Sequence, residues 1–364
     1  NIIMSDSLQL IDGSQYNVEI SGFDLAGNKA DNVFLNNVGY DLSPPVLTIS
    51  SPKDSSFINN PFIIYDLSEN LDSAQITWVN NMTNESIIVQ LNGNDLTRGI
   101  HEDFVDPDMN SLVSGDIYSL IIEGKDLAGN NSNKFIVNHV NFDNILPNAT
   151  INFPNSSDFI NSNLFSYNLD EDFNNAQIKI EHTDGLIDPS SPYTIELESN
   201  ELLKGEYNDI SLVNSFSLND GSIYTFTFNG FDKAGNKSNE IIINDITYDI
   251  TSPTIEIDFP QPNSSVNDID LNYSLNENLD TMKVVWERIG GNEDLNSPHI
   301  IYLNENDLLI GNNKNIIDSN KPLLNDGTIY NIQISLIDFA NNDSDDFIIE
   351  NVIYDITPPE IIAS

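Results

Sequence analysis

The sequence contains no cysteine. No disulfide can staple it, and no thiolate can act as nucleophile or metal ligand. A secreted eukaryotic β-module would usually carry paired cysteines, so their lack points to a bacterial or archaeal source. Basic residues are scarce: 13 Lys and Arg stand against 57 Asp and Glu, a formal charge of −44 over 364 residues. So negative a surface repels nucleic-acid phosphates and anionic lipid heads, and neither is an expected partner. It suits solubility, high salt and the capture of divalent cations. There is no run of 18 apolar residues, so no helical membrane span is expected. Gly-x-Ser-x-Gly, Walker and Cys-x-x-Cys motifs are missing as well. Carboxylates are so frequent that paired-acid hydrolase logic selects no pair. Four histidines, His101, His139, His182 and His299, hold unmatched positions and are expected on the surface. The chain is not expected to be an enzyme.

What is present is a repeat. Tyr16 to Asn28 reads Tyr-Asn-Val-Glu-Ile-Ser-Gly-Phe-Asp-Leu-Ala-Gly-Asn, and related segments begin at Tyr118, Tyr224 and Tyr330. Their aspartates, Asp24, Asp126, Asp232 and Asp338, are spaced by 102, 106 and 106 residues. Two further markers keep the same register. One is Tyr40-Asp41, Phe142-Asp143, Tyr248-Asp249 and Tyr354-Asp355, each followed by proline; the other begins at Tyr65, Tyr167 and Tyr273 and runs on to Asp72, Asp172 and Asp280. The register divides the chain at 1–43, 44–145, 146–251, 252–357 and 358–364. Residues 1–43 read as the C-terminal part of a module and Glu360–Ser364 as the first strand of another, so a longer parent protein is expected.

Each unit reads as strands alone. Val46–Pro52, Phe62–Glu69, Ala74–Asn80, Ile87–Asn92, Ile117–Asp126 and Phe135–Asp143 alternate or run apolar, with Asn, Asp, Gly, Ser and Pro between them. About seven short strands in roughly 105 residues is the signature of an all-β, immunoglobulin-like sandwich, here in tandem. Parity gives the inward rows: Ile63, Tyr65 and Leu67 on the second strand, and Ala74, Ile76 and Trp78 on the third, with counterparts one and two repeats on. The Asp-Gly-x-x-Tyr approaches at Asp12, Asp220 and Asp326 read as tyrosine corners, with Ser114-Gly115 a variant.

The Asp-x-Ala-Gly-Asn and Tyr-Asp-x-Thr-Pro-Pro markers, at Asp24–Asn28, Asp126–Asn130, Asp232–Asn236, Asp338–Asn342 and Tyr354–Pro359, resemble those of bacterial Ig-like repeats in large surface adhesins and biofilm proteins. The sequence departs from the pattern at Asn341 and at Asn144–Pro147. The resemblance implies a cell-surface or extracellular location, extended stalks with Ca²⁺ at the joints, and neighbouring modules of the same longer chain as partners.

In such a sandwich the second-to-third and sixth-to-seventh loops lie where the chain enters the module. Glu69 extends the inward row of one sheet and Asp126 that of the other, so the two carboxylates converge over the rim of the core. Asp41 arrives on the linker. Like charges in a half-buried place require a cation or a proton, and oxygen donors of mixed origin suit Ca²⁺. The sets repeat as Asp41, Glu69 and Asp126; Asp143, Glu171 and Asp232; and Asp249, Glu277 and Asp338. Asp72, Asp172, Asp280, Asn130, Asn236 and Asn342 are secondary candidates. A competing reading makes each Asp-x-Ala-Gly-Asn aspartate a turn cap that accepts backbone N–H bonds; both readings stay open here.

Two functions follow: the repeat region of a surface adhesin, or a structural subunit of an extracellular filament, sheath or surface layer that self-associates into fibres. The surface ligand is not legible. Modules about 35–40 Å long, from strands of about ten residues, joined by short Pro-bearing linkers, should form a rod on the order of 130 Å. Small-angle scattering checks this, and a compact globule would contradict it.

Overall fold

β-Branched and aromatic residues alternating with polar ones, punctuated by Asn, Asp and Gly, leave the backbone little choice but strands and turns. The computed structural model describes residues 9–104, 112–212, 217–315 and 322–361, with side chains at 103, 104, 314 and 315 excepted. Residues 1–8 of the expected first segment and residues 362–364 of the expected last strand lie outside these; Glu360 and Ile361 are not in a strand. No helix among the described residues is long and apolar enough to cross a membrane.

The chain begins with a hairpin, β1 (Ser14–Ile20) and β2 (Val33–Tyr40). The next repeat supplies β3 (Leu47–Ser51), β4 (Phe57–Ile58), β5 (Ile63–Leu67), β6 (Leu71–Asn80), β7 (Ser86–Gln90), β8 (Gly99–Phe104), β9 (Ile117–Asp126) and β10 (Phe135–Phe142). The following one gives β11 (Ala149–Phe153), β12 (Phe159–Ile160), β13 (Leu164–Leu169), β14 (Phe173–Gly185), β15 (Tyr193–Glu196), β16 (Gly205–Ser211), β17 (Ser222–Asp232) and β18 (Ile241–Tyr248). The last gives β19 (Ile255–Phe259), β20 (Ser265–Val266), β21 (Leu271–Leu275), β22 (Leu279–Gly291), β23 (His299–Tyr302), β24 (Gly311–Asn315), β25 (Thr328–Asp338) and β26 (Phe347–Tyr354).

Each of these three repeats forms a five-stranded and a three-stranded sheet: β4-β10-β9-β6-β7 with β3-β5-β8, and the same orders twice more. β4, β12 and β20 join in parallel beside the last strand of their repeat. These two-residue strands, and β8, β16 and β24, were absent from the strands expected. The fold is all-β and immunoglobulin-like. One core packs Leu47, Ile63, Tyr65 and Leu67 of the three-stranded sheet against Ala74, Ile76, Trp78, Tyr118 and Leu120 of the five-stranded one. Another does so with Leu271, Tyr273, Met282, Val284, Trp286 and Tyr330. The chain divides into two compact units. One runs to Asn148 and includes Glu171–Asn175 and Gly230–Asn239; the other holds Ala149–Asp170, Ala176–Asn229 and the residues from Glu240 on.

Polar pins hold these cores in register. Tyr65, Tyr167 and Tyr273 hydroxyls donate to the carbonyls of Asp95, Glu201 and Asp307, each in or at the end of a short 3₁₀ turn. The corner tyrosines accept backbone N–H bonds five residues upstream, Val113 to Tyr118, Asn219 to Tyr224 and Asn325 to Tyr330. The last strand of each hairpin carries a bulge with one left-handed residue, Asn37, His139, Asp245 and Asn351. His139 therefore occupies a position otherwise held by Asn or Asp, residues that tolerate positive φ.

The two longer repeats use their extra residues on a longer third strand. β14 and β22 run 13 residues, against 10 for β6. They end at Gly185 and Gly291, where a Cβ would stand 2.4 and 2.3 Å from the Gly221 and Gly327 carbonyls, so no other residue fits. Beyond each lies a buried aspartate. Asp188 Oδ2 accepts from the Tyr224 and Tyr193 hydroxyls. Asp294 Oδ2 accepts from Tyr330, 2.6 Å away, and lies 2.7 Å from His299 Nε2. His299 is thus a correction to the expected surface position. It is 8% exposed, because its place on β23, opposite Trp286, points it into the core toward a buried acceptor.

Removing the Tyr330 hydroxyl orphans part of that buried carboxylate. Tyr330→Phe should cost about 1–3 kcal/mol in the sandwich that contains Trp286. Urea unfolding followed by Trp286 fluorescence in a Trp78→Phe background checks this, and an unchanged midpoint would refute it.

Candidate functional site

The three acidic sets are built alike. The first carboxylate comes from the residue after a last strand: Asp41 after β2, Asp143 after β10, Asp249 after β18. The linker there is clamped from below. Asp12 accepts from the Leu42 N–H (2.6 Å) and the Ser43 hydroxyl (2.6 Å). Asp220 accepts from Ile250 N–H (2.9 Å) and the Thr251 hydroxyl (2.6 Å), and Asp326 does the same for Ile356 and Thr357. At the eroded linker Ser114 takes this role, its hydroxyl accepting from Asn144 N–H and donating to Asp143. The Ser43 hydroxyl and then the Leu42 amide hold the Asp12 carboxyl below the usual carboxylate range. These clamp residues were overlooked in the sequence. The signal was the Asp of Asp-Gly-x-x-Tyr, read only as part of a tyrosine corner.

The second carboxylate sits between the second and third strands of the repeat, at Glu69, Glu171 and Glu277. That loop is pinned at both ends. Val46 N–H donates to the Ser68 hydroxyl and Arg98 N–H to Asn70 Oδ1. In the last repeat Thr254 N–H donates to Asn276 and Ile310 N–H to Asn278.

The third is the final residue of the sixth long strand: Asp126, Asp232 and Asp338, each 2% exposed. Asp126 Oδ1 accepts N–H bonds from Ala128, Gly129 and Asn130 at 2.7–2.8 Å, and Oδ2 accepts from Asn130 Nδ2 at 2.8 Å. The same Nδ2 donates to the Asp41 carbonyl, as Asn236 does to Asp143 and Asn342 to Asp249. The three asparagines thus tie the turn to the linker backbone.

The geometry brings three carboxylates together in each set. Asp41, Glu69 and Asp126 each offer an oxygen within 4.8 Å of the other two, and so do Asp143, Glu171 and Asp232, and Asp249, Glu277 and Asp338. Asp72, Asp172 and Asp280 stand outside these groups. Asp72 is exposed, Asp172 lies 2.9 Å from Lys233 Nζ, and Asp280 accepts from the Thr281 hydroxyl.

Electrostatics follows position. Burial raises the Glu69 carboxyl above its ordinary value, and Asp41 and Asp126 push it further. Burial likewise raises Glu277, with Asp249 and Asp338 adding to it. Asp249 is raised by burial, a donor from Thr251 offsetting part of the effect. Burial also works against ionised Asp126, but the donors of Asn130, Gly129 and Ala128 outweigh it and hold this carboxyl low. Asp24 is an internal control. It forms the same turn on exposed ground, accepting from Ala26, Asn28 and the Asn28 amide, and belongs to no acidic group of three among the described residues.

The donor set is all oxygen. Ca–O bonds of about 2.3–2.6 Å let oxygens on opposite sides of one ion stand about 4.6–5.2 Å apart, so three oxygens within 4.8 Å fit one such ion. Neither imidazole nor thiolate takes part, which suits a hard cation over zinc or copper.

Protonation supplies the other relief, with a definite sign. A carboxyl whose folded value is raised adds stability below its ordinary range and loses that contribution as pH rises through the raised value. Glu277 and Asp249 are of this kind; Asp126, held low, is the reverse and loses its contribution only on stronger acidification. In chelator, the sandwich containing Trp286 should therefore gain stability from neutral pH down to about pH 5. Glu277→Gln should raise its melting temperature at neutral pH and flatten that gain. Melting curves read by Trp286 fluorescence across pH decide this; an identical profile in parent and variant would contradict it.

Residues 5–155 match the family described as bacterial Ig-like domain (group 3). No curated protein sequence matches the chain. Among solved structures, a tetra-tandem repeat from the extending region of a large adhesion protein is 16% identical, with a TM-score of 0.28, covering 92% of this chain and 81% of that one. The FN1–FN3 domains of chicken CNTN1 are 11% identical, with a TM-score of 0.31, covering 85% and 98%. Three N-terminal domains of the bacteriophage RB49 outer capsid protein Hoc are 11% identical, with a TM-score of 0.33, covering 86% and 100%. Over residues 5–155 the chain is thus similar to the group 3 bacterial Ig-like domains, the kind of module that its repeat resembles.

Proposed function

We propose that this chain is the repeat region of an extracellular, surface-attached bacterial adhesin, non-catalytic, whose successive repeats are braced by calcium at the three acidic triads. The observation that carries the reading is the recurrence of one arrangement. In three equivalent places a linker aspartate, a loop glutamate and a buried aspartate bring carboxylate oxygens within 4.8 Å. Such a set draws on the end of one repeat and two loops of the next, so an ion held there would join them. Three carboxylates supply the hard, anionic part of a calcium sphere, and carbonyls or water complete its six to eight ligands.

The competing reading is that the buried aspartates cap turns and nothing more. Asp24 favours it, since its turn forms outside any acidic group of three among the described residues. The two readings differ over Glu171, which turn capping does not need.

Extracellular calcium modules bind at about 10⁻⁴–10⁻³ M, so millimolar calcium fills such sites. Binding to the folded state alone adds roughly 1–2 kcal/mol per site at a few times Kd. Thermal melting in calcium and in chelator, at fixed ionic strength because screening also relieves a chain of −44 charge, should show that shift. Glu171→Gln or Asp232→Asn should remove one site's share and leave the others working. If magnesium or NaCl reproduces the whole shift, or neither substitution alters it, turn capping is the correct reading.

A further inference from the structure

Two phenylalanines meet where the last repeat follows its predecessor, within the second compact unit. Phe159 belongs to β12, which is tied to the end of its own repeat: β12 pairs in parallel with β18, and the Asp249 N–H donates to the Ile160 carbonyl at 2.9 Å. Phe339 follows Asp338 in the turn at the entrance of the last repeat. Their ring centroids stand 5.7 Å apart with the planes at 34°, within the range of favourable aromatic pairs. Asn161, just beyond β12, reaches the same turn. Its Nδ2 donates to Asn342 Oδ1 at 3.2 Å and to the Asn341 carbonyl at 3.4 Å. Ile310 lines, with both rings, a groove of about 370 Å³ beside Asp249, Glu277 and Asp338. Phe159 and Phe339 are 44% and 52% exposed, so neither is a core side chain. The positions of Ile310 and Phe339 hold Arg98 and Leu127 in the first of the three repeats, and Lys204 and Lys233 in the second. Only the last repeat is apolar at both.

We infer that Phe159, Ile310 and Phe339 form an apolar latch that holds the last repeat against its predecessor with no ion bound. The latch opposes the mutual repulsion of Asp249, Glu277 and Asp338, which acts at this same joint. Its apolar surface leaves water only when the two repeats meet end to end, so the contact selects one orientation of the pair. The Asn161 amide adds direction, because its acceptor Asn342 is itself fixed to the Asp249 carbonyl and to Asp338. None of these contacts is an ion pair, so neither chelator nor salt removes them. Where Lys233 replaces the second ring, its Nζ lies 2.9 Å from Asp172 instead. This inference does not depend on the calcium reading.

With no native cysteine, spin labels attach only where a cysteine is introduced. Glu206→Cys on β16 and Glu287→Cys on β22 place one label at an exposed strand position of each repeat. Pulsed dipolar electron spin resonance on the full chain, in chelator throughout, should give one narrow distance distribution. Phe339→Ser and Phe159→Ser should each lower the ratio of that population to all others by about 2- to 10-fold. The double variant should lose no more than either single one, because both remove the same contact. Both side chains are half exposed, so the melting temperature of each variant should stay that of the parent. A parent distribution already as broad as that of Phe339→Ser would overturn the proposal. So would a distribution that neither substitution broadens, or a double variant whose loss is the sum of the two.

Discussion

One carboxylate per repeat holds the entrance of each sandwich together. Asp126 ends a strand of the five-stranded sheet, closes the turn that follows by accepting three N–H bonds, and fixes the Asn130 amide. That amide in turn holds the Asp41 carbonyl. Turn, sheet end and linker backbone are thus referred to a single buried charge. Ionised, it is worth more to the fold than any neutral acceptor, because bonds to a charged acceptor are the strong ones. Its donors, not its solvent access, keep it ionised: burial alone would drive it the other way. Asp232 and Asp338 accept from the backbone N–H and side-chain amide of Asn236 and Asn342, and those amides hold the Asp143 and Asp249 carbonyls.

Much of this was legible because the sandwich reads its sequence with period two. The inward rows through Tyr65, Tyr167 and Tyr273 and through Trp78, Ile180 and Trp286 are buried as parity requires. Parity also extends the inward row of β5 to the loop residue Glu69 and that of β9 to Asp126, strands of different sheets whose rows meet at one rim. What parity does not give is pairing across distant chain. β4, β12 and β20 are two residues long and exist only because a last strand lies alongside. Asp12, Asp220 and Asp326 act on residues about thirty positions away, and their meaning emerges only when the hairpin closes.

The buried Asp188 and Asp294 illustrate a different limit. A spacing of 106 residues in place of 102 announces four extra residues without saying where they go. They lengthen β14 and β22, cross at Gly185 and Gly291, and deliver a carboxylate beneath the corner tyrosine. Asp-Pro and Asp-Leu in a polar loop look solvated in sequence. What buries them is the tyrosine hydroxyl, which, once pinned by a backbone N–H, has its own proton left to donate.

The same accounting separates the turn from the triad. Asp24 shows that the Asp-x-Ala-Gly-Asn turn is complete with its own residues: the aspartate, its backbone donors and Asn28. Nothing in that closure calls for a glutamate on the facing loop or a carboxylate on the linker. Yet wherever the linker and the second-to-third loop are both present beside the turn, both bring an acid to within 4.8 Å of the aspartate. A glutamine in place of Glu69 or Glu277 would fit the same loop without the repulsion that raises these carboxyls. At neutral pH a cluster of three acids costs free energy in proportion to its burial. On the proposed reading that cost is offset by positive charge from solution, one ion in each of the three sets, reached from a linker and two loops.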